Sequence, residues 1–355
     1  MRGVSFGNNN AAFSTALKKK VDEYFSANGV KFTGNKKLYW KTAILMCSAA
    51  ALYAWLVFLT PAWWLSIPGC LLLGFNMAAI GFNVMHDGAH GSFSQRKWVN
   101  EMMAYSLNLL GGCSYLWKAK HNVNHHNFTN IEGHDDDIDI KPWIRTNTNQ
   151  PRRWYHRYQH IYWVVLYGFT YLIWVFSKDF DKYFRGKIGE TKIKKMNVKE
   201  HIVFWASKLV YGFVFIALPI WQVGFLDTLF GYLLAAGMCG FVLAVVFQLA
   251  HVVEEASFPV PDDKTNKVKE DWTVHQLATT ANFSTRSKFI SWFVGGLNFQ
   301  VEHHLFPRIS HVHYPAISKV VKDVCSQFNV RYIEYPTFFS ALKSHVLYLK
   351  TIGAQ

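Results

Sequence analysis

The sequence predicts an all-α membrane protein with four transmembrane helices in two hairpins and a cytosolic helical cap. Of its 355 residues, 51% are hydrophobic and 17% aromatic, yet the mean hydropathy is only +0.04, so apolar segments alternate with polar ones. Four nearly uncharged stretches are each about as long as a bilayer is thick. The net charge of +14 arises largely in the segments that flank them, as the positive-inside rule predicts for cytoplasmic loops.

Residues 1–40 are predicted to form a cytosolic segment with one amphipathic helix. Phe13, Leu17, Val21 and Phe25 recur every four residues, so they line one face of that helix. We expect this face to lie on the membrane surface. Packing against the cytosolic cap is the alternative.

The four predicted spans form two hairpins. Residues 42–60 and 64–85 are joined by the short turn "TPAWW", and the second of them ends at His86. Residues 203–222 and 226–248 form the other pair, joined at "WQVGFLD". Because each hairpin crosses the bilayer twice, all the long polar segments are expected on the cytoplasmic side.

Two further apolar stretches, 102–117 and 161–176, are expected to be re-entrant or to lie in the membrane interface. Residues 177–200 carry eight Lys/Arg against four Asp/Glu and should therefore be cytoplasmic. A single crossing by 161–176 would place this basic segment outside. It would also separate His251 from the histidines that precede it.

The main domain is predicted to cover residues 41–315, and residues 316–355 to form cytosolic C-terminal helices with a proline near the first turn of each. The basic residues flank apolar spans and no nucleic-acid motif is present, so membrane lipid rather than nucleic acid is the expected partner. The five cysteines are isolated and include no CxxC pair, which predicts free thiols.

Histidines are concentrated in three short clusters, "HDGAH", "HNVNHH" and "QVEHH", and one more ends the last predicted span. On a helix, residues four apart share a face. Neutral imidazole is a good ligand for iron, copper or zinc. Eight imidazoles at one membrane level exceed the needs of one ion and favour two ions with open positions for oxygen. The candidate ligands are His86, His90, His121, His125, His126, His251, His303 and His304.

Together, HxxxH, HxxxHH and QxxHH resemble the three histidine boxes of the membrane-bound fatty acid desaturases, over residues of about 40–315. The glutamine form of the third box is similar to that of front-end and sphingolipid desaturases. The resemblance implies a di-iron centre held by the eight histidines above, with His251 as the ligand between boxes two and three. Gln300 stands where other relatives have the first histidine of HxxHH, and it is a further candidate ligand.

The resemblance also implies a function. It predicts O₂-dependent insertion of a cis double bond into a fatty acyl chain linked to coenzyme A or to a lipid. No HPGG haem-binding motif occurs in the sequence, so a separate cytochrome b5 or ferredoxin should deliver the electrons. The protein is expected to be multi-pass with both termini cytoplasmic, in the plasma membrane of a bacterium or the endoplasmic reticulum of a eukaryote.

Three alternatives remain open from the sequence. A hydroxylase or a sphingoid-base desaturase could use the same scaffold. A non-enzymatic receptor or structural protein could bind zinc, although a structural zinc site usually takes only four ligands.

Four acids are candidates for hydrogen bonds to the ligand histidines: Asp87, Asp135, Asp137 and Glu254. For residues 135–139, a solvated acidic loop is the alternative. An alkyl substrate requires an apolar tunnel near the metals, for which the candidate lining residues are Trp117, Trp272, Trp292 and Phe293.

Overall fold

The computed structural model describes residues 4–189 and 191–355, most of which are helical. In chain order the helices are Ala11–Asn28, Lys36–Phe58, Trp63–His90, Lys97–Ala104, Ser106–Leu109, Ser114–Lys118 with its π-helical continuation Ala119–His125, Trp154–Arg185, Val198–Val223, Phe225–His251, Trp272–Thr279, Lys288–Phe293, Gln300–Leu305, the 3₁₀ turn His311–His313, Tyr314–Gln327 and Phe338–Ala354.

The strands are only two residues long, and two of the three ladders join segments that are distant in sequence. Ser5–Phe6 pairs in parallel with Lys267–Val268, Asn282–Phe283 pairs in parallel with Glu334–Tyr335, and Lys187–Ile188 pairs with Thr191–Lys192 in an antiparallel hairpin. The two parallel ladders attach the N-terminus and the C-terminal region to the segment that precedes the third histidine box.

Within the described residues, five helices are long and apolar enough to cross a membrane, one more than the sequence predicts. We call them the first to fifth apolar helices: Lys36–Phe58, Trp63–His90, Trp154–Arg185, Val198–Val223 and Phe225–His251. Four of them contain the four predicted spans. The additional one arises because the stretch 161–176 continues in both directions as one helix.

The two uncertain apolar stretches therefore have different structures. The third apolar helix does not turn back, so a re-entrant form of 161–176 is wrong. Residues 102–117 are broken into short helices, two of which are Lys97–Ala104 and Ser106–Leu109, and they form no span. Asn108 explains part of this break, because its side-chain oxygen accepts a hydrogen bond from the backbone N–H of Ser114 at 3.2 Å.

The fifth apolar helix packs at the centre of the apolar bundle, against the second and third. Small residues permit this close approach. An added Cβ at Gly240 would lie 2.7 Å from the backbone oxygen of Gly168, and one at Gly74 would overlap the backbone oxygen of Ala235. Backbones that approach this closely gain van der Waals contact, which drives helix association where no water is present to be displaced.

The N-terminal helix Ala11–Asn28 packs on protein. Phe13, Leu17, Val21 and Phe25 are all buried, in one cluster with Ile317 and other apolar residues of helix Tyr314–Gln327. The expectation that this face lies on the membrane surface is therefore wrong, and the alternative of packing on the cap is confirmed. The four-residue spacing of apolar side chains predicts that this helical face is buried. It does not predict whether protein or lipid covers the face.

Two of the apolar helices end at the level of the cap with a histidine of the predicted site. The second ends at His90, after a π-helical segment Gly81–Met85, and the fifth ends at His251. The C-terminal helix Phe338–Ala354 contacts the end of the fifth apolar helix. Nδ1 of His345 lies 2.6 Å from the backbone oxygen of Val252, the residue that follows this helix. All five cysteines are free.

We predict that Gly240→Ala lowers the thermal stability of the purified protein, because the added methyl group forces the third and fifth apolar helices apart. Gly237→Ala is the matched control on the same helix, since nothing lies within 4 Å of its added Cβ. The measurement is the temperature of half-loss of monodisperse protein in detergent. Equal melting temperatures for both variants would contradict this account of the packing.

Candidate metal centre

Seven of the eight predicted histidines form two compact groups. His86, His90, His121 and His303 make the first, and His125, His251 and His304 make the second. Within each group, one ring nitrogen from every histidine lies within 4.8 Å of the others. A metal–imidazole bond is about 2 Å long, so each group can close around one ion with small side-chain shifts.

Neighbouring histidines divide between the two groups. His303 belongs to the first group and His304 to the second, and the same holds for His121 and His125. The His121 and His125 rings stack with centroids 5.0 Å apart. Each of the second and third boxes therefore supplies both groups, so the two groups form one joined site.

His126, the eighth histidine, lies between the groups. Its ring centroid is 4.6 Å from that of His303 and 4.5 Å from that of His304, and its Nε2 is 3.2 Å from Nε2 of His121. The π-helical turn Ala119–His125 places it there, since the N–H of His126 donates to the carbonyl of His121, five residues earlier, at 3.1 Å. Single π-turns of this kind occur often at functional sites.

The site contains buried ring nitrogens without a hydrogen-bond partner. These are Nε2 of His90, His125, His251, His303 and His304, and Nδ1 of His126. Buried polar atoms are normally hydrogen-bonded, and the exceptions need an explanation such as an ion. Their position within two groups of imidazoles fits metal binding, so the donor set matches the group that the sequence predicts.

Two aspartates orient the second box. The carboxylate of Asp135 accepts from Nδ1 of His125 at 2.9 Å, and that of Asp137 accepts from Nδ1 of His121 at 2.9 Å. Each contact leaves the Nε2 of its histidine facing the site, as outer carboxylates commonly do for metal-bound imidazole. Asp137 also pairs with the ammonium of Lys120. The acidic segment is therefore part of the site.

Three more Nδ1 contacts were not predicted from the sequence. Tyr314 OH lies 3.1 Å from Nδ1 of His303, Gln276 Oε1 lies 2.8 Å from Nδ1 of His304, and the carbonyl of Thr279 lies 3.2 Å from Nδ1 of His251. Tyr314, Gln276 and Thr279 belong to no sequence motif. Thr279 makes its contact through the backbone carbonyl, which every residue has, so the residue type gives no signal. Only the fold brings them to the site.

Two of the four predicted acids do not contact a candidate ligand. Asp87 follows His86 directly, but its side chain points away to His311 Nδ1 at 3.0 Å and Ser310 Oγ at 2.6 Å. Glu254 is exposed and lies outside both histidine groups. It follows the end of the fifth apolar helix, so its i, i+3 spacing from His251 does not put the two on one helical face. Both predictions are wrong.

Glu302, which belongs to the third box, anchors this box to the surrounding protein through hydrogen bonds. It is fully buried between His303 and Val301, and accepts from Asn282 Nδ2 and Tyr332 OH, each at 2.8 Å. Burial raises the pKa of the Glu302 carboxyl to about 7, against these hydrogen bonds, which lower it. Asn282 also accepts from the N–H of Val301 at 2.8 Å, so one strand residue fixes the start of the helix Gln300–Leu305.

Burial sets the protonation of the imidazoles outside the apolar helices. It lowers the pKa of His121, His126, His303 and His304 well below the ordinary histidine value, which leaves these rings neutral and their lone pairs available. At His125 burial acts in the same direction, but the charge of Asp135 and its hydrogen bond outweigh it and raise the pKa. A cation bound at Nε2 would take the place of that proton.

Of the four predicted tunnel residues, Trp272 lines a cleft beside the histidines, and the other three pack on neighbouring side chains. Trp117 stacks on His121 with centroids 4.3 Å apart, and Phe293 stacks on Phe75. Trp272 donates to the carbonyl of His126 at 3.3 Å, and the Lys41 ammonium lies over Trp292. A cavity of about 610 Å³ lies elsewhere, between the apolar helices, and its lining includes Leu56, Leu73, Met77, Phe215 and Phe230.

The sequence profile of the fatty acid desaturase family matches residues 61–336, which include all eight histidines. The chain belongs to the fatty acid desaturase family. Its fatty acid desaturase activity makes it an oxidoreductase, and its apolar helices fit the membrane-bound class. This membership favours an enzyme over the zinc-receptor alternative.

Relatives with assigned names cover nearly the whole desaturase chain. It is 40% identical to an acyl-lipid (8-3)-desaturase of Physcomitrium patens, over 97% of this chain and 72% of that protein. It is 36% identical to the sn-1 linoleoyl-lipid 6-desaturase of Arthrospira platensis, over 99% of this chain and 95% of the relative. A protein of the same name from Synechocystis is 35% identical, over 96% of this chain and 95% of its own length.

We predict that Asp135→Ala lowers the metal content of the purified desaturase. Loss of such an outer carboxylate typically weakens metal binding about 10–100-fold, because the ligand ring loses its orientation and basicity. Asp139→Ala is the control in the same segment, since Asp139 pairs with Lys141. Elemental analysis after dialysis against a chelator measures the difference. Equal metal retention by the two variants would remove Asp135 from the site.

Proposed function

We propose that this desaturase inserts a cis double bond near the carboxyl end of an acyl chain esterified to a membrane lipid, with O₂ and two electrons as co-substrates. The observation that carries the proposal is similarity over 95% of the length of two relatives named sn-1 linoleoyl-lipid 6-desaturase. The glutamine of the third box, which is similar to that of front-end desaturases, supports it. Position 6 is the first to test.

The proposed cofactor is a pair of iron ions held by the two histidine groups. The first would be bound by His86, His90, His121 and His303, and the second by His125, His251 and His304. His126, between the groups, is positioned to complete either. When bound, iron and O₂ supply the oxidant that removes hydrogen from an unactivated methylene, which no side chain can do.

The protein's own contribution is orientation and exclusion of water. Asp135, Asp137, Gln276 and Tyr314 hold the outer nitrogens of four histidines, so that the inner nitrogens need not rearrange during turnover. His125, His251 and His304 are completely buried, which keeps water from the second group.

The proposed second ligand set has three histidines where the first has four. Gln300 is buried, begins the helix of the third box, and lies four residues before His304, on the same helical face. Its amide oxygen is a weaker iron donor than imidazole. We infer that Gln300 either coordinates this ion loosely or accepts a hydrogen bond from a water bound to it.

The proposed topology has two crossing hairpins, with the third apolar helix lying along the cytoplasmic side. Both ends of that helix contact one acidic segment: His156 Nε2 lies 2.8 Å from the carbonyl of Pro142, and Lys182 Nζ lies 2.7 Å from Asp136. The segment 177–200 that ends and follows this helix carries eight Lys/Arg against four Asp/Glu, which favours the cytoplasmic side. This supports cytoplasmic termini, with residence in the plasma membrane of a bacterium or the endoplasmic reticulum of a eukaryote.

Electrons are proposed to come from a separate cytochrome b5 or ferredoxin, because these 355 residues contain no HPGG motif. The purified chain should therefore turn over only when such a carrier is added.

We predict that a host expressing this chain accumulates a lipid-linked fatty acid with a new double bond at position 6. His125→Ala and His251→Ala should each abolish the product, because each removes a ligand from a group of three. His201→Ala is the control, an exposed histidine bonded to Tyr183 OH. Gas chromatography with mass spectrometry of total lipid gives the answer. A normal product from either ligand variant would refute the assignment.

We predict that Gln300→Ala loses most activity and some metal, whereas Gln300→Glu keeps part of both because it retains an oxygen donor. Gln300→His restores the other form of the third box, but the bulk of imidazole can misplace the ion. Iron content and product yield are measured for all three. Full iron and full activity in Gln300→Ala would make this glutamine a bystander.

We predict that Lys194→Cys, in the basic segment after the third apolar helix, resists an impermeant maleimide in intact cells and reacts after permeabilisation. The reason is the positive-inside rule, applied to the eight Lys/Arg of residues 177–200. A cysteine placed at Thr60, in the turn between the first two apolar helices, is the outward-facing control. Efficient labelling of position 194 in intact cells would mean that the third apolar helix crosses.

A further inference from the structure

A cleft of about 890 Å³ opens beside the metal centre, on the side of the cap. We call it the interfacial cleft. Two histidine boxes border it, the first with His90 and the second with His126, and Pro307–Arg308, which follow the third box, complete its lining. Since two candidate metal ligands form part of its wall, a molecule in this cleft is in direct reach of the site.

The interfacial cleft carries positive charge without paired anions. Lys97, Lys118 and Arg308 line it, with Glu101 as the one carboxylate among its lining residues. Within residues 4–189 and 191–355, none of the three cations lies within 4 Å of a carboxylate. By contrast, Lys208 pairs with Asp179 at 2.9 Å. Three cations that converge without partners indicate a site for an anion.

The helix Lys97–Ala104, which forms one wall of the cleft, is amphipathic. On the helix Lys97–Ala104, Lys97 and Glu101 face the cleft, whereas Trp98 and Met102 are 59% and 50% exposed. Each pair is spaced four apart, so the helix has a polar face toward the cleft and an apolar face toward its surroundings. Exposed tryptophan on such an amphipathic helix is typical of the lipid headgroup layer, and this face favours a position of the cleft at the membrane surface.

We propose that the interfacial cleft binds the phosphate of a glycerophospholipid whose acyl chain passes His90 and His126 to the metals. The inference rests on the proposed acyl-lipid function and names its carrier. Lys118 and Arg308 would hold the phosphate from opposite walls, and Lys97 would add charge from the third. A headgroup held here would lie beside two candidate metal ligands, which agrees with a double bond near the carboxyl end.

A concave site favours this occupant. A protein electron donor would need an accessible, broad surface, whereas these cations lie within a cleft that two box histidines also line. Coenzyme A offers the same phosphate chemistry, but it is a soluble carrier and makes no use of the apolar face of Trp98 and Met102. The phospholipid uses both features at once.

The test is native mass spectrometry of the purified full-length protein in detergent. The probes are dioleoyl phosphatidylcholine, monogalactosyl dioleoylglycerol with the same chains and no phosphate, and oleoyl-coenzyme A. We expect phosphatidylcholine to bind most tightly. Lys118→Gln and Arg308→Gln should each weaken it about tenfold, the usual effect of losing one charge-assisted contact. Lys195→Gln, in the exposed basic segment, should leave it unchanged.

Metal content and product yield are measured on the same preparations, with metal content as the check on folding. Equal binding of the galactolipid, or unchanged phosphatidylcholine binding in both cleft variants, would overturn the phosphate site while leaving desaturation intact. Tighter binding of oleoyl-coenzyme A, lost in the same variants, would overturn the lipid carrier. Failure of the proposed function would instead appear as absence of product from the wild-type chain, whatever the lipid affinities.

Discussion

The structure depends on one constraint: imidazole nitrogens with no hydrogen-bond partner must be held facing one another in a buried site. An unpaired buried polar group costs about 1–3 kcal/mol, and six such nitrogens together rival the typical net stability of about 5–15 kcal/mol. A bound cation removes this cost. The outer nitrogens are therefore fixed by Asp135, Asp137, Gln276 and Tyr314, so that the inner ones remain available to the metal.

The apolar helices help to hold the imidazole nitrogens together, because the ends of two of them lie beside the cap. The second ends at His90 and the fifth at His251, while the cap delivers the second and third boxes onto them. Gly240 lets the fifth helix lie close to its neighbour, and the helix Phe338–Ala354 braces its end. The membrane-embedded bundle and the cap thus share one site, and the interfacial cleft lies where they meet.

The candidate ligands could be predicted from the sequence because histidine clustering at the ends of apolar stretches is local in the chain. The division of His303 and His304 between two groups could not, since it depends on ring directions set by tertiary contacts. Asp87 and Glu254 were misassigned for the same reason: proximity in sequence to a ligand does not fix where a carboxylate points. The N-terminal stripe of Phe13 to Phe25 and the helix around 161–176 show that an apolar pattern reveals burial but not its partner.

Elemental analysis of the purified wild-type desaturase tests the central claim most directly, because the two histidine groups are proposed to hold two iron ions. Protein prepared under reducing conditions should contain close to two iron atoms per chain, and His125→Ala should lose at least one of them while remaining monodisperse. A single zinc per chain with no iron, unchanged in that variant, would contradict the dinuclear centre and the role given to the eight histidines.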